Sequence, residues 1–261
     1  SASLGRNVAL DGLLHAHDPV YVGRDSATCS IVSAGRVDVD RDVVVHGDLV
    51  HGGNHWVSSQ AQVIGTITAH TAVPGRYQPP TRLAPTFNPG SGSQWVDHNS
   101  DLILDPGQYG SISVGRDTTL RLSAGTYDFS SVWLDRNVRI LGDTDAGAIT
   151  IRISQSLSTD RQVIFDAGDE LLSLHVGGEV SFGRENQLDA SVFSLGSLSA
   201  DRDSTIAGQL YAAGDIWLDE GTHVAGRGAS IGGTGAIPEP AAVALLGLGM
   251  MALLPRRFSR R

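Results

Sequence analysis

Residues 183–203 read GRENQLDASVFSLGSLSADRD, a stretch that opens on Gly183-Arg184-Glu185 and closes on Asp201-Arg202-Asp203, 18 residues later. The same pattern, Gly or Asp, then Arg, then Asp, Asn or Glu, recurs at Gly5-Arg6-Asn7, Gly23-Arg24-Asp25 and Asp40-Arg41-Asp42. It returns at Gly115-Arg116-Asp117 and Asp135-Arg136-Asn137. Neighbouring copies lie 17 to 20 residues apart, and Gln60-Ala61-Gln62 and Asp219-Glu220-Gly221 echo the pattern near two further expected positions. Short alternating apolar runs follow most copies, among them Val43–Val45, Leu120–Leu122, Val138–Ile140 and Ile216–Leu218. Period-two alternation over a few residues, closed by a turn residue, is strand chemistry. Gly, Asn and Asp are the residues that turn a corner at positive φ most cheaply.

A short period with about three strands in it is one coil of a solenoid, whose inward side chains are buried only when coils stack. The fold expected is therefore all-β, a single-stranded parallel β-helix with coils of about 17–20 residues, followed by a C-terminal hydrophobic helix. Residues 1–72 form the first coils. Residues 73–100, rich in Pro and Gly, read as a loop or linker. Residues 101–235 continue the solenoid, where Gly107-Gln108-Tyr109 is echoed by Gly125-Thr126-Tyr127. Between Asp143 and Leu172 the spacing stretches, which predicts a longer rung or a small insertion.

Residues 236–261 differ in kind. Pro238-Glu239-Pro240 precedes the unbroken apolar run Ala241–Leu254, and the chain closes with Arg256, Arg257, Arg260 and Arg261. The prolines withhold N–H groups and fix φ, the apolar run is made of helix formers with small glycines, and terminal arginines hold to the cytoplasmic side of a membrane. Fourteen helical residues rise only about 21 Å against a hydrocarbon core of about 30 Å, so the segment suits a temporary hold.

This three-part ending resembles the PEP-CTERM sorting signal of Gram-negative bacteria. The resemblance covers the last 25 or so residues. It implies export, a transient stay in the inner membrane, handling by an exosortase that recognises Pro238, Glu239 and Pro240, and release to the cell surface or extracellular matrix. The arginines act as the membrane stop. The body resembles, in period and composition only, polymer-forming β-helix proteins of the bactofilin type, which implies self-association.

Composition narrows the partners. All 19 basic residues are Arg, and against 28 acids the formal net charge is −9, so a nucleic-acid partner is excluded for want of a basic stripe. Cys29 is the single cysteine, which rules out an intramolecular disulfide, and it reads as a small buried hydrophobe. The histidines of residues 46–55 (His46, His51 and His55) and the pair His15 and His17 are expected at the surface rather than around a metal. The acids flanking Arg41 and Arg202, namely Asp40, Asp42, Asp201 and Asp203, invite comparison with calcium-dependent polysaccharide lyases. A motif that recurs belongs to a corner, however, where Arg neutralises stacked acids. No catalytic residue, cofactor or metal is assigned, and weak Ca2+ binding at the corners is the only cation chemistry left open. Thr-x-Thr, the pattern of ice-like water arrays, occurs only at Thr66-Ile67-Thr68. Trp56, Trp95, Trp133 and Trp217 can stack on sugar rings if they face outward, and Trp133 and Trp217 stand in strand-like runs.

The reading is a non-enzymatic exported surface or matrix protein, associated with extracellular polysaccharide in a biofilm or floc. A β-helix polysaccharide lyase or hydrolase and a carbohydrate-binding adhesin are the alternatives.

Overall fold

In the computed structural model, residues 1–70, 85–167 and 172–225 are described, and among them every regular element is a β-strand. The C-terminal helix, the sorting triplet Pro238-Glu239-Pro240 and the arginines 256, 257, 260 and 261 lie outside the described residues. The strands form a three-faced solenoid in which every ladder is parallel. Face A has 11 strands, face B runs alongside it, and face C has six.

The order of rungs is not the order of the chain. Numbered along the solenoid, face A runs from Ser93–Val96 (rung 1) through Ser111–Val114, Val132–Leu134, Leu157–Thr159, Val180–Phe182 and Leu198–Ala200 to Ile216–Leu218 (rung 7). Rung 8 is then Ala2–Leu4, followed by Val20–Val22, Val37–Val39 and His55–Val57 (rung 11). The first coil of the chain is thus laid on one of the last. At this seam Gly5 N–H donates to Leu218 O at 2.7 Å, Ala9 N–H to Thr222 O at 3.1 Å and Gly221 N–H to Arg6 O at 2.9 Å. Ten rung steps of about 4.8 Å separate His55–Val57 from Ser93–Val96, about 48 Å, and the chain between them must make that return.

Residues 85–92 show the last part of it. Phe87 lies against Gly177, Asn88 N–H approaches Asp128 Oδ1 at 3.5 Å, and Gly90 N–H donates to Tyr109 O at 2.9 Å. The segment expected as a loop therefore crosses several rungs at the edge of face C, and Ser93–Val96 within it is already strand.

Register turns the strand alternation into columns. One inward column of face A reads Ile112, Val132, Leu157, Val180, Leu198, Ile216, Ala2, Val20 and Val37. It ends in Gln94 at one terminal rung and His55 at the other. A second inward column holds Val114, Leu134, Phe182, Leu218, Leu4, Val22 and Val39, interrupted by Thr159, whose hydroxyl accepts hydrogen bonds from Asn186 and from Gly183 N–H. Each buried aliphatic side chain contributes about 1.5–3 kcal/mol.

The corner between faces A and B carries the tripeptide. Its third residue has positive φ rung after rung: Asn7, Asp25, Asp42, Asp117, Asn137, Glu185 and Asp203 all lie between 55° and 59°. Asn99 and Gln162 share this conformation, which reveals two further copies, Asp97-His98-Asn99 and Asp160-Arg161-Gln162. The second of these explains the stretched spacing. Gln162 hydrogen-bonds to Glu185 across 23 residues at 2.7 Å, one long rung rather than an interruption. Behind the corner, buried Ser26, Thr118, Asn186 and Ser204 take up backbone groups of their own and adjacent rungs.

Two sequence expectations are corrected here. His51 is buried because strand alternation turns it inward with Leu49, and its Nδ1 sits 2.8 Å from Gly53 O; His15 is buried too, although alternation places it on the opposite side of its strand from the inward Leu14. Cys29 is half-buried rather than fully enclosed.

Two outcomes follow. Leu4 is fully buried at the seam, so Leu4→Ala is expected to cost about 2–5 kcal/mol in urea unfolding, with loss from both chain halves in one transition. Burial holds the His175 imidazole below the ordinary histidine value, helped by the Arg152 guanidinium; burial, then His17, does the same for His15. The folded state keeps both neutral while the unfolded chain protonates them near 6.5, so stability is full above about pH 6.5 and falls as pH drops below it. Thermal unfolding at pH 7.5 and 5.5 should show that fall, and a smaller one for His175→Phe, which keeps the ring stacked on Phe193.

Candidate functional site

Two columns of outward side chains stand out, one closed and one open. The closed one is on face C, where register aligns Asp128, Arg152, His175, Phe193 and Tyr211. Asp128 is buried and ion-paired with Arg152, and His175 stacks on Phe193 with ring centroids 4.9 Å apart. Asn88 approaches Asp128 from outside. Arg152 Nε and His175 Nδ1 find no hydrogen-bond partner among the described residues. Segment 85–92 meets this column at Asp128, through Asn88, and runs beside it where Phe87 lies against Gly177. Sequence reading missed it because Asp128, Arg152 and His175 lie 23 to 24 residues apart, outside the 17–20 period.

The open column is on face A. Strand pairing places Trp95 beside Ser113, Ser113 beside Trp133 and Trp133 beside Ser158. The column continues through Ser181, Ser199 and Trp217. Across the seam it passes to Ser3, Tyr21, Asp38 and Trp56. All four tryptophans of the chain and one tyrosine therefore stand in a single file, and each is 40 to 60 % exposed. Large aromatic side chains at the centre of inward-facing triplets would be core; here the alternation Val132-Trp133-Leu134 and Ile216-Trp217-Leu218 puts the aliphatics inside and the indoles out.

The surroundings of the file are small and polar. Beside Trp217 a groove is floored by Ser181, Ser199 and Ser3 and rimmed by Asp201 and Asp219. Among the described residues no protein group hydrogen-bonds the hydroxyls of Ser3, Ser113, Ser158 or Ser181. The rim carboxylates are held in place: Asp201 Oδ1 accepts Arg202 N–H at 2.8 Å and Asp219 Oδ1 accepts Glu220 N–H at 2.7 Å. Their second oxygens face Arg184 and Arg202 of the preceding rungs, each at 3.4 Å. The backbone N–H of Glu220, aided by Arg202, holds the Asp219 carboxyl below the usual carboxylate range.

The residues singled out from sequence thus separate. Trp133 and Trp217 join the file, Asp201 joins its rim, and Asp40 accepts a hydrogen bond from Tyr21 in the same file at 3.3 Å. Asp42 and Asp203 are corner residues of positive φ, and Asp203 faces the other way, onto face B beside Gln187 and Thr205. Trp95 and Trp56 complete the file, and Tyr21 was not legible as a member. Among the described residues no group of three His, Cys, Asp or Glu side chains is placed to hold a metal ion. The file contains no threonine, so the Thr-x-Thr array is confined to Thr66-Ile67-Thr68 on rung 11.

No protein-family model matches the chain, and no curated protein sequence does. Among solved structures it is similar to an ice-binding protein from the Antarctic ascomycete Antarctomyces psychrotrophicus, at 13% identity over 85% of this chain and 92% of that one, with a TM-score of 0.40. An ice-binding protein from Arctic yeast, LeIBP, is 13% identical over 88% of this chain and 92% of that one, with a TM-score of 0.39. One from an Antarctic Flavobacteriaceae bacterium is 11% identical over 86% and 81%, with a TM-score of 0.38. Likenesses this distant carry nothing about what this chain binds.

Proposed function

We propose that this chain is a non-enzymatic, exported surface protein that holds extracellular polysaccharide on face A. The observation that supports it is the exposed file of four tryptophans and Tyr21 along a serine-lined parallel sheet. Exposing large aromatics to water is costly, and a row of them marks a contact surface. A sugar ring offers an apolar face of C–H groups to stack on an indole and a rim of hydroxyls for Ser and Asp. That division matches aromatic rings flanked by Ser181, Ser199 and the carboxylates of Asp201 and Asp219.

The recurrence of the corner acids favours a scaffold over the lyase or hydrolase alternative, and at the rim of face A the oxygens of Asp201 and Asp219 are already engaged by backbone N–H and Arg groups. The sorting ending, Pro238-Glu239-Pro240 with its apolar and Arg-rich segments, supports delivery by an exosortase through the inner membrane to the surface or matrix.

Removing stacking worth about 1–1.5 kcal/mol should weaken binding to host exopolysaccharide roughly five- to tenfold for Trp217→Ala. The variant lacking all four tryptophans should lose sedimentation with the polymer altogether, with no reducing ends released by either protein. Binding that survives the fourfold change would remove face A as the surface. For the ending, mass spectrometry of matrix fractions should find a C-terminus near Pro238–Pro240; an intact Arg261 confined to the inner membrane would refute sorting to the matrix.

A further inference from the structure

The aromatic file has a period. Counting rungs along the solenoid, aromatics occupy 1 (Trp95), 3 (Trp133), 7 (Trp217), 9 (Tyr21) and 11 (Trp56). Every even rung carries a small or acidic residue: Ser113, Ser158, Ser199, Ser3 and Asp38. Only rung 5 breaks the odd series, with Ser181. Crowding alone explains why aromatics avoid adjacent rungs. It does not explain why five of them, drawn from both ends of the chain, all fall on the odd set and all stay exposed.

Two rung steps are about 9.6 Å. Resting on the polysaccharide reading above, we infer that face A binds a neutral, extended β-1,4-linked glycan lying along the solenoid axis, one aromatic per disaccharide. In such a chain equatorial linkages join the rings end to end at single-bond lengths, giving a disaccharide of about 10 Å. Successive rings are turned over, so the same ring face returns at every second sugar and meets the next aromatic. An α-linked or β-1,3-linked glucan coils and presents no such straight row. The charge on the chain points the same way: a net −9, with Asp38, Asp40, Asp201 and Asp219 along the file, repels an anionic polymer and suits hydroxyl donors. Trp95 with Trp133 forms one station and Trp217, Tyr21 and Trp56 a longer one, with the Ser158-Ser181-Ser199 floor between them.

The test is affinity electrophoresis of the full chain in gels containing hydroxyethylcellulose, laminarin or amylose. Retardation is expected in hydroxyethylcellulose alone. Ser181→Trp fills the missing odd rung and should tighten binding about fivefold, whereas Ser199→Trp, on an even rung, should not. The double variant Trp133→Ser/Ser113→Trp keeps four exposed indoles but brings two of them one rung apart, and should bind at least fivefold more weakly. Circular dichroism melts confirm that each variant is folded, and the two tryptophan insertions serve as each other's control. Equal effects of Ser181→Trp and Ser199→Trp, an unchanged double variant, or preference for laminarin or amylose would overturn the spacing inference while leaving polysaccharide binding intact. No retardation in any gel, together with no sedimentation with host exopolysaccharide, would overturn both.

Discussion

A coil of this chain cannot satisfy its own backbone. Each rung's N–H and C=O groups point along the solenoid axis, and only the rungs on either side can accept or donate to them. In-register parallel pairing is the result, and everything else depends on it. Because the ladder puts each residue directly above its counterpart, a side chain acceptable at one rung must be acceptable against its neighbours at the next. Inward positions become continuous apolar columns, corner positions become a file of residues at positive φ, and outward positions become files of surface chemistry.

The same constraint exposes the two ends. Gln94 and His55 sit at inward-type positions of the terminal rungs, where Ile112 and Val37 occupy the equivalent places one rung in. Gln94 and His55 are both exposed, and polar residues suit such positions at the ends of the described rungs. At the seam, by contrast, Ala2 and Leu4 lie on Ile216 and Leu218 with apolar chemistry on both sides, so the break in the chain is absent from the core. The returning segment is held by different means: Asn88 N–H approaches Asp128, Gly90 N–H donates to Tyr109 O, and Asp128 is itself paired with Arg152, next to His175 in the same column. The buried charge of that column is paired, and burial holds its histidine below the ordinary value.

Face A gains its character from this arrangement. A parallel sheet offers outward positions at one fixed interval, and the aromatics stand on every odd rung of face A except rung 5. The serines between them give the rings room, and among the described residues the hydroxyls of Ser3, Ser113, Ser158 and Ser181 have no protein partner. At the rim, the carboxylates of Asp201 and Asp219 are each shared between a backbone N–H of their own corner and the arginine of an adjacent rung.

From the sequence alone, the solenoid was legible. Tripeptides such as Gly183-Arg184-Glu185 mark corners because only a few residue types tolerate positive φ, and triplets such as Ile216-Trp217-Leu218 show which side is buried because strand alternation is local. The tryptophans could be suspected of facing out for the same reason. The copies Asp97-His98-Asn99 and Asp160-Arg161-Gln162 escaped because His, Gln and a long rung depart from the motif. The order of the rungs was decided only in three dimensions. Nothing local in Ser1–Arg6 or Asp215–Glu220 says that they pair, since hydrogen-bond registers between distant segments are set by which apolar edges remain uncovered when the coils stack. In chain order Trp56, Trp95, Trp133 and Trp217 have no common spacing. Once rung 8 is laid on rung 7, they and Tyr21 all fall on odd-numbered rungs of one face.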